Sequence, residues 1–223
     1  MKVKICGIKT LSAAKAAAKA AADFLGLNFV PTSKRCISEE TAKEIIAELR
    51  GPRPVARKVR FTGVFQNQSI ELVNGIAARL DLDFVQLHGD ESPEYCARVN
   101  TPVIKAFSLE SDFDAQAVMK EMEPYRRAHY FLLDRKKKGM TERERGNTDA
   151  STPNVDAMLH FKKVATIAEE FSVMLAGGLT PENVREAVKA SGRIDGVDVA
   201  GGVETNGEKD PQKIKDFIKA TKQ

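Results

Sequence analysis

Cysteine is scarce in this chain of 223 residues, and the three present, Cys6, Cys36 and Cys96, are odd in number and far apart. That excludes a disulfide framework and any cysteine-based metal spacing, and it suits a reducing compartment. Tryptophan is absent, and no apolar run approaches the roughly 20 residues of a membrane span, so no membrane partner is expected. No charged-then-apolar leader precedes the first apolar run, which argues against a signal peptide and for a cytoplasmic location. An excess of one charge sign is missing too. The net charge is +4 with a pI near 8.9, the signs are mixed, and no basic stripe with interleaved aromatics marks a nucleic-acid binder. With 42% hydrophobic and 30% charged residues the chain can build a substantial core. It has no linker, low-complexity tract or second composition regime, so one domain over residues 1–223 is expected.

What the sequence does contain is a regular alternation. Short apolar, β-branched runs predict strands at 2–6, 24–29, 59–65, 84–87, 103–107, 130–134, 173–176 and 196–200. Helical patterns fall between and after them, at 11–22, 38–49, 69–80, 93–99, 112–122, 154–170, 181–190 and 211–221. Thr180-Pro181 and Asp210-Pro211 each read as an N-cap followed by proline at the first helical position. Eight strand–helix units imply parallel strands with right-handed crossovers. A doubly wound open sheet is the rival, because periodicity does not say whether a sheet closes. The unit count and the lack of GxGxxG after the first strand favour a single-domain (β/α)8 TIM barrel of the α/β class. Residues 135–152 show no apolar period and read as a long loop after the sixth strand.

In a barrel of this kind the chemistry sits where strands end. Cys6 closes the first strand beside Gly7, a place suited to proton transfer or nucleophilic work, although most free cysteines are small buried hydrophobes. Asp134 ends the sixth strand. A thiol and a carboxylate across the barrel mouth suit an acid and a base acting on opposite sides of a small sugar. The pairs Gly177-Gly178 and Gly201-Gly202 end strands seven and eight, the usual phosphate site of the fold, and Asp198 stands just before the second pair. Arg35 can fork onto a carboxylate or phosphate. His88 either lines the site or is a structural histidine bonded at a strand end; it is counted here among the substrate-binding residues.

Taken in order, these motifs resemble phosphoribosylanthranilate isomerase. The likeness rests on Lys4-Ile5-Cys6-Gly7-Ile8, Ser33-Lys34-Arg35, Gly63-Val64-Phe65 and Gln86-Leu87-His88-Gly89-Asp90-Glu91. It continues through Val103-Ile104-Lys105-Ala106, Leu132-Leu133-Asp134, Ala176-Gly177-Gly178-Leu179-Thr180-Pro181 and Val197-Asp198-Val199 with Gly202-Val203-Glu204. The resemblance implies an Amadori rearrangement in tryptophan biosynthesis. Cys6 is then the general base, Asp134 the general acid and Arg35 the holder of the anthranilate carboxylate, with backbone near Gly178, Gly201 and Gly202 on the phosphate. No cofactor and no metal are implied, and the partner is a small phosphorylated anthranilate, bound by a monomer or homodimer. Two departures stand out. Arg135-Lys136-Lys137-Lys138-Gly139-Met140-Thr141 replaces the family's Gly-Gly-Thr-Gly loop, and Ala200-Gly201 stands where a serine is common. A related phosphosugar isomerase of changed substrate and a non-catalytic phosphometabolite-binding barrel remain the rivals.

Overall fold

In the computed structural model, which describes residues 1–51, 59–110, 112–135 and 155–222, eight parallel strands close into a barrel. They are β1 (Lys2–Cys6), β2 (Phe24–Asn28), β3 (Arg60–Phe65), β4 (Phe84–Leu87), β5 (Val103–Leu109), β6 (Tyr130–Arg135), β7 (Val173–Ala176) and β8 (Gly196–Val199). Each is followed by a helix: α1 (Leu11–Lys19), α2 (Glu39–Arg50), α3 (Ile70–Arg79), α4 (Pro93–Ala97), α5 (Ala115–Met122), α6 (Val155–Ile167), α7 (Val184–Ala190) and α8 (Pro211–Thr221). Closure is made by β1 and β8, where Lys4 pairs with Asp198 and Ile5 with Val199. The rival open sheet is thereby excluded.

Strand periodicity sorts the side chains into two cores. Residues facing the helices, such as Val3, Ile5, Leu25, Leu27, Val85 and Leu133, join the helix faces in one large apolar layer. The alternate residues face inward, where Phe24, Phe84, Ile104, Tyr130, Leu132 and Met174 form a separate plug. Lys4, Thr62, Gln86 and Asp198 are also buried and share this inward parity by strand register. The inside of the barrel is therefore apolar in part and polar in part, which an apolar-run reading of the strands does not reveal.

Helix starts follow capping chemistry. Thr10, Ser38, Ser69, Ser92, Asp114 and Asp210 each accept a backbone N–H in the first turn of the following helix. The Asp210-Pro211 start is found as expected. The Thr180-Pro181 start is not: α7 begins at Val184. The Asn183 side chain accepts from Thr180 N–H at 2.8 Å and donates to the Gly178 carbonyl at 3.0 Å, tying residues 178–183 into a turn ahead of the helix. A short hairpin after β8, β9 (Glu204–Thr205) with β10 (Glu208–Lys209), was not anticipated. Its turn, Asn206-Gly207, has positive φ at both positions, the combination that a two-residue type I′ hairpin needs.

Candidate active site

The strand ends bring the expected residues to one mouth, but on two differently built sides. Cys6 ends β1, and its Sγ lies against Gly26 of β2, where a Cβ would press on the sulfur. Gly7 follows in the left-handed region, φ +74°, with the stem of Arg35 packed where its side chain would be. The Arg35 guanidinium then reaches Glu204 through two parallel bonds, Nε to Oε1 at 2.7 Å and Nη2 to Oε2 at 2.8 Å. Lys209 Nζ donates to the same Oε1 at 2.6 Å and to the Ala200 carbonyl at 2.9 Å. Two residues back along β1, Lys4 Nζ meets Asp198 Oδ1 at 2.9 Å with the lysine side chain fully buried.

These ion pairs set the protonation chemistry around Cys6. Burial pushes the thiol upward and Asp198 adds to that; Lys4 and Lys209 favour the thiolate and offset the rise only in part, so the thiol stays above its usual value. Burial alone would lower the Lys4 ammonium, but Asp198 and Cys6 outweigh it and hold it above its usual value. Burial likewise works against the Glu204 carboxylate, and the bonds from Arg35 and Lys209 more than compensate, so it sits below the ordinary range.

The opposite side is more open. Asp134, in β6 just past its four buried residues, is 34% exposed, and its Oδ2 lies 3.4 Å from His88 Nε2. His88 follows β4, and its Nδ1 stands 2.9 Å from Gln86 Nε2. The loop that carries His88 is held from below by Lys105, which bonds the Gly89 carbonyl at 2.6 Å and Glu91 at 2.9 Å. A cavity of about 230 Å³ opens beside it, lined by Asn28, Val30, Thr32, Ser33, Val64, Gln66 and His88 at the ends of β2 to β4.

The glycine pairs close the third side. Gly177 and Gly178 both have positive φ, and the Gly178 N–H has no acceptor among the described residues. A Cβ on Gly202 would collide with the Leu179 carbonyl oxygen, so the two glycine loops pack backbone to backbone. Gly201 starts a single 3₁₀ turn, Gly201–Val203, with the Arg35 guanidinium alongside.

Two residues sit differently from expectation. Asp198 lies beneath the mouth, spent on Lys4, because strand register turns it into the barrel. The fork of Arg35 is spent on Glu204. Four residues that complete the site were given no role from the sequence, Lys4, Gln86, Glu204 and Lys209, although the first three lie within the motifs that carry the family likeness. The Asn206-Gly207 turn could also have pointed to the last two, since it folds the hairpin that brings them together. Among the described residues no group of three or more His, Cys, Asp or Glu is placed to hold a metal ion. No described helix is long and apolar enough to cross a membrane. Residues 136–152 of the expected long loop lie outside the described residues.

Known proteins share this arrangement from end to end. The family described as N-(5'phosphoribosyl)anthranilate (PRA) isomerase matches residues 3–220. An N-(5'-phosphoribosyl)anthranilate isomerase from Geotalea uraniireducens is 43% identical over 99% of this chain and 98% of its own. The phosphoribosylanthranilate isomerase of Thermotoga maritima, a dimeric enzyme, superposes with a TM-score of 0.80 at 35% identity, over 100% of this chain and 98% of that one. A further solved isomerase, 35% identical with TM-score 0.78 over the same shares, holds reduced 1-(o-carboxyphenylamino)-1-deoxyribulose 5-phosphate. With a closed barrel, a thiol and a carboxylate at its mouth and full-length likeness to these enzymes, the chain belongs to the N-(5'-phosphoribosyl)anthranilate isomerase family.

Proposed function

We propose that Cys6 and Asp134 carry out the two proton transfers of the Amadori rearrangement from opposite sides of the barrel mouth. The activity itself comes with the family: the protein is a phosphoribosylanthranilate isomerase of tryptophan biosynthesis, an intramolecular oxidoreductase. The observation that supports the residue assignment is the placement of one ionisable thiol and one half-open carboxyl at the ends of β1 and β6, with the glycine loops of β7 and β8 between them.

In this reading Asp134 gives its proton to the furanose ring oxygen. The bond from that oxygen to C1′ breaks, its electron pair stays on the oxygen, and the anthranilate nitrogen closes a protonated Schiff base with C1′. The Cys6 thiolate then takes the proton from C2′. The electrons of that C–H bond form a double bond between C2′ and C1′, and the iminium pair returns to nitrogen. The enolamine tautomerises as the C2′ hydroxyl proton leaves and C1′ gains one. Aldose becomes ketose with no external oxidant or reductant, and the aromatic amine serves as the electron sink.

Lys4 and Lys209 favour the thiolate in a buried setting where their charge is poorly screened. The phosphate is assigned to backbone near Gly178, Gly201 and Gly202, where the Gly178 N–H has no acceptor among the described residues. The anthranilate ring is assigned to the cavity beside Val30 and Val64, and its carboxylate competes with Glu204 for the Arg35 fork. A thiol base suits a reducing cytoplasm, and all three cysteines are free. The quaternary state is a monomer or a homodimer like that of the Thermotoga maritima relative, which sedimentation distinguishes. The direct test supplies enzymatically generated phosphoribosylanthranilate and follows the loss of its anthranilate fluorescence. Turnover by the wild type that vanishes in Cys6→Ala and Asp134→Asn supports the assignment, and turnover retained in either variant removes that residue from it.

A further inference from the structure

We propose that Gln86 and His88 are positioning residues for the acid, selecting which oxygen of Asp134 carries its proton. The inference rests on reading Asp134 as the general acid.

Gln86 lies inside the barrel on β4, almost fully buried, and its side-chain amide meets Nδ1 of His88 at 2.9 Å. An amide nitrogen only donates, so Nδ1 accepts and the neutral ring carries its proton on Nε2. Nε2 faces Oδ2 of Asp134 at 3.4 Å, a distance that a small rotation of either side chain shortens to a full hydrogen bond. An oxygen that accepts this bond is poorly placed to hold the acidic proton. That proton goes to Oδ1, the oxygen not engaged by the imidazole.

The reverse polarity would disarm the acid. If Gln86 presented its oxygen to Nδ1, the ring proton would sit there and Nε2 would accept from Oδ2–H. The acid's proton would then point into the protein and away from the ribose. The other end of the amide shows that this single bond matters: Gln86 Oε1 is buried and has no hydrogen-bond partner among the described residues. An unpaired buried amide oxygen is costly, and an apolar side chain of similar length at this inward position would avoid that cost. What the amide supplies in return is the bond to His88.

The test compares kcat and KM for His88→Leu, His88→Gln, Gln86→Leu, Asp134→Asn and the double variant His88→Leu/Asp134→Asn, with thermal unfolding to verify folding. A glutamine at 88 reaches about as far as Nε2, so it keeps a donor to Asp134 while losing the tautomer control. We expect His88→Leu to lower kcat by about 10- to 100-fold with KM within about twofold. His88→Gln should recover most of that loss, Gln86→Leu should cost about three- to tenfold in kcat, and His88→Leu should add nothing to Asp134→Asn. A raised KM at unchanged kcat in His88→Leu overturns the proposal and makes His88 a substrate contact. Wild-type kinetics in both His88→Leu and Gln86→Leu overturn it as well. If Asp134→Asn is inactive in either case, the acid assignment stands and only this inference falls; if Asp134→Asn turns over normally, both fall.

Discussion

The two sides of the barrel mouth hold the two residues proposed for proton transfer with opposite materials. Around Cys6 the neighbours are charged and largely shielded: buried Lys4 against Asp198, and Glu204 between Arg35 and Lys209. Beside Asp134, among the described residues, stands the imidazole of His88, itself held by the neutral amide of Gln86, and the carboxyl is a third exposed. The difference matches the roles proposed for the two groups. A thiol in a dry site does not ionise unless cations lie close by, and those cations need their own counter-charges to be tolerated there. A carboxyl that must keep a proton is better served by hydrogen bonds than by a nearby cation, which would hold it ionised.

The largest expected effects test whether both sides are catalytic at all. Cys6→Ala and Asp134→Asn should each lower kcat by about 10²- to 10⁴-fold, the usual scale for a lost general base or acid, with much smaller changes in KM. A near-normal kcat in one of them would make the comparison one-sided.

The second test separates the sides by stability. Lys4→Met leaves Asp198 buried without its partner and should cost about 3–5 kcal/mol in chemical unfolding. His88→Leu removes no buried charge and should cost less than about 1 kcal/mol. Equal losses would mean that the charged side is not the more tightly constrained one.

A third test uses pH. His160 on α6 packs edge-on against Phe113 and Phe161, and burial, with Arg135 and Lys163 nearby, pushes its imidazole down to about 4. The unfolded chain binds this proton near the ordinary value of about 6.5, so the folded state is favoured above that value. As pH falls from about 6.5 to about 4 that advantage drains away, about 3 kcal/mol in all. His160→Phe should flatten this part of the stability profile. On the Cys6 side the depressed Glu204 carboxyl acts later: its contribution is complete above the ordinary carboxylate value and is lost as pH falls through its lower folded value. An acid transition that begins only below about pH 4 in the wild type would contradict the order.

The smallest effect concerns charge that follows Asp134 in sequence. Residues 135–145 carry six basic and two acidic side chains, and the sequence alone suggests steering of a doubly anionic substrate. Replacing Lys136, Lys137 and Lys138 with glutamine should lower kcat/KM a few-fold at low ionic strength and leave kcat nearly unchanged. An unaltered salt dependence would show that this charge is inert.

Legibility from sequence was uneven for physical reasons. β1, β4 and β7 begin and end where the apolar runs do, because alternation with turn residues on both sides is a local signal. The start of α7 moved by three residues, from 181 to Val184, where the Asn183 side chain ties the preceding turn. In the site, Cys6, Asp134 and the glycine pairs were readable because they punctuate strands. Lys4 and Gln86 were not, since a polar residue in an alternating strand is ordinarily the solvent face, and in a closed barrel that face is the inside.

The sequence by itself therefore determined the order of strands and helices, the class of fold and the strand-end residues to which the proton chemistry is assigned. Tertiary structure decided closure and partnership. Lys4 finds Asp198 across 194 positions, and Arg35 finds Glu204 across 169, only because β8 returns to β1. Periodicity reports which face a side chain takes, over a few residues. Which charge it meets there is set by the register with which the last strand closes on the first.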